Sequence, residues 1–413
     1  MIVPGQDVGG KIGHDDRGRT AIVNHDLSVN SFPMIYDTIV IGLGGMGSAT
    51  AYHLALRNQR VLGLEQFTPA HNKGSSHGKT RVTRQAYYED PAYVPLLIRA
   101  HELWYQIENE TGANVLSEVG GLMIGRPETT VVSGSIRSAR QYGLPHEILD
   151  AAEIRRRYPA LRPGSDEIAL FERKAGFLRP EASVQAHLDG AGLHGAELHF
   201  GEKVIAWEPA HGGVRVRTDR RVYEAARAVI SPGPWAPDIL ADLGLPLAVE
   251  RQVLYWFDPI GGVEPFLPDR FPIFIWAAED AATPYGFPAI DGPAGGVKVA
   301  YYRAPQEEPC TPETIDRTIR ESEIALMRNA IAERIPALNS RFLAGATCLY
   351  TNTPDKNFVI ATHPQCPQVS IACGFSGHGF KFCSVVGEIM ADLAISGETR
   401  HDLSLFRLDR LQR

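Results

Sequence analysis

The chain is short of cysteine, of long apolar runs and of basic charge, and each shortage removes a class of protein. Its 413 residues include five cysteines, Cys310, Cys348, Cys366, Cys373 and Cys383. An odd number without CxxC spacing, confined to the last quarter, speaks against a disulfide framework and against a zinc or other metal site. A reducing cytoplasm is the natural compartment. No stretch of about 18 apolar residues occurs, so no membrane-spanning helix is expected. A net charge of −7 argues against nucleic acid or an anionic membrane as the main partner, although a local cluster of cations can still bind an acidic small molecule. Apolar residues make up 44% and charged residues 22%, values ordinary for a globular protein. The length fits two domains better than one core. Residues 1–33, rich in Gly, Asp, His and Asn, lack the apolar core of a signal peptide. They read as a disordered or loosely docked extension, with Met34 an equal candidate for the biological start.

What is present begins at Tyr36. YDTIVI (Tyr36–Ile41) is a short β-branched run, expected as a buried parallel strand. The turn Gly42-Leu43-Gly44-Gly45-Met46-Gly47 follows, then a helix expected over Ser48–Arg57 and a second strand over Arg60–Glu65. This is a βαβ unit with three spaced glycines. They allow a tight turn, a close approach of backbone to a pyrophosphate, and helix–strand packing. Glu65 stands eighteen residues after Gly47, where an acid accepts from a ribose diol. A lone glycine motif is weak, but its strand, helix and terminal acid are in register. It does not by itself separate NAD from FAD. Further along, Glu118–Gly125, Glu202–Thr218, Arg227–Ser231, Val253–Phe257 and Val297–Tyr302 read as strands. Ala151–Tyr158, Pro312–Asn329 and Ser384–Ile395 read as helices. Dinucleotide signals recur near the start, near residue 230 and near the end, with sheet-like segments between them. That interleaving suggests a discontinuous cofactor domain carrying a substrate domain inserted in two pieces.

Three more segments carry candidate chemistry. In Gly74-Ser75-Ser76-His77-Gly78-Lys79-Thr80-Arg81-Val82-Thr83-Arg84, two arginines three apart would usually solvate a surface. A Gly/Ser/Thr-rich segment beyond the second strand more often runs over a cofactor. Lys298 sits in an alternating strand, where a lysine usually faces water. Gly374-Phe375-Ser376-Gly377-His378-Gly379-Phe380-Lys381-Phe382 has glycines that let backbone pass close to a planar ligand. Cys348, in GATCLYTNT, has an inert buried thiol as its plain reading; a reactive thiol needs access and nearby positive charge.

Together the GLGGMG, GSSHGKTRVTR, GATCLYTNT and GFSGHGFKF segments resemble the family of monomeric sarcosine oxidase and N-methyltryptophan oxidase, which also includes pipecolate oxidases. The resemblance runs from about Tyr36 to Arg410. It implies an α/β (α+β overall) fold. Residues 34–119, 175–247 and 343–413 would form a discontinuous Rossmann-type FAD-binding domain. Residues 120–174 and 248–342 would form an inserted mixed or antiparallel-sheet substrate domain. It also implies FAD tethered by a thioether to Cys348. Gly42, Gly44, Met46, Gly47, Glu65, Ser75, Arg81, Gly374, Gly377, His378, Gly379 and Lys381 would surround the cofactor. Arg81 packs beside the ring. Arg84 and Lys381 meet the substrate carboxylate, a task suited to a planar guanidinium. Tyr87, Glu89, Tyr285 and Tyr350 line the pocket. Lys298 places a cation over the ring to favour oxygen reduction, with His378 nearby. The family usually carries histidine four residues after that lysine; here the position is Tyr302. That departure bears on substrate and pocket shape more than on flavin chemistry.

The expected reaction is oxidation of a secondary amine on a small amino acid, either an N-methyl amino acid or a cyclic imino acid. Molecular oxygen is the acceptor, H2O2 a product, and the protein a cytoplasmic monomer. Two rivals are a dehydrogenase of the same fold with another acceptor and a non-catalytic nucleotide-binding protein. Lys298 speaks against the first. The set Arg84, Lys298, Cys348 and Lys381 speaks against the second.

Overall fold

β1 (Tyr36–Ile41) is buried over its last four residues and β2 (Val61–Glu65) along its whole length. Both therefore read as continuous apolar runs, the mark of strands covered on two faces. In this computed structural model, which describes residues 36–411 apart from 211, 279–282 and 304–305, they pair in parallel through the crossover helix α1 (Gly45–Leu56). The expected extension 1–33 lies outside the described residues. Val222–Ile230 pairs in parallel with β1, Val369–Cys373 with Val222–Ile230, and Glu197–Phe200 with β2. A meander, Val204–Ala210 with Gly213–Thr218, and the antiparallel strand Val359–Thr362 complete an eight-stranded sheet. Three distant stretches of sequence thus build one sheet.

Small residues let the helices close on that sheet. α1 packs against Pro180–Leu193 and Cys383–Ser396. A Cβ on Gly387 would lie 2.5 Å from the Ala49 backbone. At the turn before α1, Gly42 has φ +84°, a region that favours glycine. A Cβ on Gly47 would stand 1.7 Å from the Gly42 oxygen, so the third glycine is required for the turn itself.

A second eight-stranded sheet runs Arg341–Asn352, Ala248–Asp258, Val297–Tyr301, Pro284–Gly286, Ile273–Trp276, Gly121–Gly125, Ile168–Glu172, Glu147–Asp150. It is antiparallel except where Ile273–Trp276 meets Gly121–Gly125. Arg81–Thr83, Gly176–Leu178 and Leu116–Glu118 form a small third sheet. The described residues belong to one compact unit.

Three expectations change. Glu118–Gly125 is not one strand: Gly120, at φ +77°, breaks it between the third and second sheets. Arg341–Asn352 lies in the second sheet, pairing Ala248–Asp258 over its length, although residues from 343 onward were expected with the cofactor domain. The helix expected over Pro312–Asn329 begins only at Glu321 and ends at Ala332. Buried Arg251 explains the late start. Its Nε donates to the Asp316 carbonyl at 2.5 Å and its Nη2 to the Thr318 carbonyl at 2.6 Å, fixing residues 316–318 in an irregular path. The Thr311 hydroxyl takes the N–H groups of Glu313 and Thr314, a local alternative to helix. The Glu323 carboxylate then accepts the Arg320 N–H at 2.8 Å, marking the true start.

Candidate active site

Where β1 and β2 end, the chain leaves a cavity of about 400 Å³. Gly42, Gly44, Gly45 and Met46 line it with Glu65, Ser75, Ser76, Arg81, Trp235, Tyr350, Thr351, Gly374, Gly377 and Gly379. The first turn of α1 reaches it; Gly44 offers no side-chain cap, and although the Gly45 N–H donates to Ser76 Oγ at 3.1 Å, the following helix N–H groups and the positive dipole end are left for an anion. Glu65 accepts the Leu43 N–H at 2.9 Å and is therefore held at the end of β2. Ser75 donates to the Leu349 carbonyl at 2.6 Å, tying the arginine-bearing loop to the strand that holds Cys348. The Thr351 hydroxyl is buried on this wall with no hydrogen-bond partner among the described residues. A glycine cradle, a helix N-terminus, a positioned acid and an orphaned hydroxyl fit a dinucleotide such as FAD.

A second cavity of about 60 Å³ shares Arg81, Tyr350, Gly377 and Phe380 with the first, so the two adjoin there. Val82, Arg84, Tyr88, Glu89, Ile275, Tyr285, Tyr302, His378 and Lys381 complete its lining. Arg84 is fully buried and stacked between the rings of Tyr87 and Tyr88, 4.2 Å from each centroid. Its Nη2 donates to both Glu89 oxygens, at 2.9 and 2.6 Å. Glu89 is partly buried, and although burial pushes its carboxyl up, Arg84 holds it below the usual range. Lys381 Nζ donates to the His378 carbonyl at 2.7 Å. Burial, then Arg84, pushes the Lys381 pKa down to about 7.

Several expected residues take other places. Tyr87 does not line the small cavity. It packs behind it, with its hydroxyl 2.6 Å from His378 Nδ1, while its neighbour Tyr88 faces the space. His378 Nε2 lies 2.9 Å from the Lys356 carbonyl and must donate there, so Nδ1 accepts from Tyr87. Burial holds the His378 pKa down to about 4. A neutral ring with both nitrogens engaged orders the loop. Lys298 is also one layer back. Its Nζ donates to Gly78 O at 2.7 Å, Thr80 O at 2.8 Å and Thr80 Oγ1 at 3.0 Å, three acceptors for the three N–H bonds of an ammonium. Burial, then Arg81, pulls its pKa well below the lysine range.

Cys348, 2% exposed, lies beneath the wall formed by Leu349, Tyr350 and Thr351. Arg81 Nη2 sits 3.3 Å from its Sγ and also donates to Ser75 O at 2.9 Å. Burial alone would push this thiol up; Arg81 and His77 outweigh it and bring it down to about 6. By contrast, burial pushes the Cys373 thiol up to about 12. Of the five cysteines, Cys348 has the thiolate environment. Sequence reasoning missed Tyr88, Ile275 and Phe380 in the small cavity, Trp235 in the large one, and His77 beside the thiol. The Tyr87-Tyr88 doublet was the available signal that a second tyrosine stood beside the expected one.

Comparisons with known proteins show the family. Residues 37–393 match the FAD dependent oxidoreductase (DAO) family. Monomeric sarcosine oxidase of Streptomyces avermitilis is 57% identical over 91% of this chain and 98% of its own length. N-methyl-L-tryptophan oxidase of Salmonella dublin is 33% identical, covering 91% and 99%. Human peroxisomal sarcosine oxidase is 32% identical, covering 91% and 96%. Among solved structures, the open form of the amino acid oxidase NikD (a Tyr258Phe mutant) superposes with TM-score 0.79 at 24% identity, covering 91% and 97%, a likeness of fold. The chain belongs to the FAD dependent oxidoreductases, in the family of monomeric sarcosine oxidase and N-methyltryptophan oxidase.

Proposed function

We propose that this chain oxidises the secondary amine of a small amino acid, with FAD in the large cavity and the amino acid in the small one. The observation that carries the reading is the adjoining pair of cavities, one a dinucleotide cradle and the other lined by Arg84, Lys381 and four tyrosines. In this reading the first sheet forms the cofactor part and the second sheet roofs the substrate. When bound, FAD supplies the two-electron oxidation of the CH–NH group and passes the electrons to O2. The protein orients the amine and sets the charge around it. The amine must bind neutral, because a protonated nitrogen has no lone pair to assist the loss of electrons. Arg84 and Lys381 anchor the carboxylate, which has to compete with Glu89 for the guanidinium fork. Tyr88, Tyr285, Tyr302 and Tyr350 exclude water. Cys348 is the attachment point for FAD. O2 is the acceptor, and the enzyme acts as a cytoplasmic monomer. Among the described residues no helix is long and apolar enough to cross a membrane. A panel of N-methyl and cyclic amino acids scored for H2O2 tests the activity; absence of peroxide across the panel with a flavin-loaded enzyme would remove it.

The anchor carries a pH signature. Lys381 is charged below its pKa of about 7 and neutral above it. The affinity of a carboxylate inhibitor without an amine should therefore fall as pH rises through about 7. Losing one charged partner costs about 1.5–3 kcal/mol, or roughly ten- to a hundredfold in Kd. Lys381→Met should bind weakly at every pH and lose that limb, and Arg84→Ala should weaken the inhibitor by a similar factor. Inhibitor titrations from pH 5.5 to 9 decide the point. Unchanged Kd in both variants would move the anchor elsewhere.

A further inference from the structure

Lys298 and Arg81 take their positions from the carbonyls of one short loop. Lys298 donates to Gly78 O and Thr80 O; Arg81 donates to Ser75 O and Thr80 O, each at 2.9 Å. The loop does not hold itself in a relaxed shape. Gly78 has φ +96°, and Lys79, which has a side chain, has φ +68°, a region that L residues other than glycine seldom occupy. A tether from outside is needed, and Glu181 is placed to be it. Glu181 Oε1 accepts the Gly78 N–H at 2.6 Å, and the Lys79 N–H lies 3.2 Å from both oxygens. Glu181 stands in the first turn of the helix Pro180–Leu193, where the dipole favours a carboxylate and packing against α1 fixes the backbone. Gly78 is thus claimed on its N–H by a carboxylate and on its carbonyl by an ammonium. The ion pair of Lys79 with Asp291 at 2.6 Å is a more exposed second tether.

We propose that Glu181 is a positioning residue for the oxidase reaction: it fixes the Gly78–Thr80 carbonyls and so sets Lys298 and Arg81 against the cofactor cavity and Cys348. The proposal rests on the reading of Lys298 and Arg81 given above. It acts through distance, which two variants separate from charge. Glu181→Gln keeps an acceptor oxygen at the same reach and loses the charge. Glu181→Asp keeps the charge and draws the acceptor back by one methylene.

Three quantities are measured on the flavin-loaded protein: the fraction of flavin precipitating with protein in acid, the rates of the two half-reactions, and Tm. Glu181→Asp should slow re-oxidation by O2 about ten- to a hundredfold, the scale of losing a charge-assisted hydrogen bond, and should lower the covalent fraction. Its rate of reduction by substrate should stay within about threefold of wild type, a split that a general loss of stability would not produce. Glu181→Gln should restore both quantities to within about threefold. Wild-type behaviour of Glu181→Asp overturns the proposal. So does Glu181→Gln as impaired as Glu181→Asp, or a drop in Tm in both with no split between half-reactions. Failure of the underlying reading looks different: no covalent flavin in wild type, and wild-type re-oxidation in Lys298→Met.

Discussion

Lys298→Met slows re-oxidation of the reduced enzyme by O2 about 10²–10³-fold, the usual worth of one oriented charge at a reacting centre, and leaves reduction by the amine much less affected. The substitution isolates the charge. Methionine nearly matches lysine in length, and the two carbonyl acceptors around Nζ are not stranded. Gly78 O keeps the Thr80 N–H at 2.8 Å, and Thr80 O keeps Arg81 Nη1 at 2.9 Å. The Phe287 ring, 4.7 Å from Nζ, offers an apolar neighbour to the thioether. Stopped-flow traces of the two half-reactions give the answer. Wild-type re-oxidation with collapsed reduction would make Lys298 a substrate-site residue instead.

Cys348→Ala abolishes covalent attachment. Acid precipitation of the wild type should carry the yellow colour down with the protein, and of the variant should leave it in the supernatant. The fold should survive, because an alanine at this strand position keeps the backbone pairing with Gln252. Attachment depends on the thiolate. With a pKa of about 6, tethering in flavin-free protein given FAD should speed up as pH rises through 6 and level off above it. At pH 5, one unit below, about a tenth of the thiol is ionised and the rate is about tenfold lower. Arg81→Met removes the main force lowering that pKa, so its limb should move to higher pH. Colour left wholly in the wild-type supernatant would contradict the assignment of Cys348.

The cofactor half of the site was legible because its chemistry is local in sequence. Gly42, Gly44, Gly47 and Glu65 fall in one βαβ unit, and steric demands such as the Gly42–Gly47 contact leave few alternatives to glycine. Gly374, Gly377 and Gly379 were legible for a similar reason. The substrate half depends on long-range contacts. Nothing in the sequence places Glu181 under Gly78, or Arg251 against the carbonyls of Asp316 and Thr318, and the latter contact erased two turns of an expected helix. The choice between Tyr87 and Tyr88 turned on which side of the chain faces the space, which adjacent aromatics do not reveal. Depth was equally hidden: Lys298 and Cys348 belong to the site's neighbourhood, yet both sit one layer behind the wall. His378 was expected beside the ring as part of the glycine-rich loop; that its two nitrogens face Tyr87 and the Lys356 carbonyl is a long-range fact the loop's sequence does not carry.

The central claim, an amino-acid amine oxidase built on FAD, is tested most directly by anaerobic titration of the purified protein with N-methyl and cyclic amino acids. The account predicts a yellow protein whose visible flavin absorbance is bleached by at least one of these substrates and returns when air is admitted, with H2O2 released as it does so. A flavin-loaded protein whose absorbance is unmoved by every secondary amine in the series, or one that is bleached and fails to recover in O2, would contradict it.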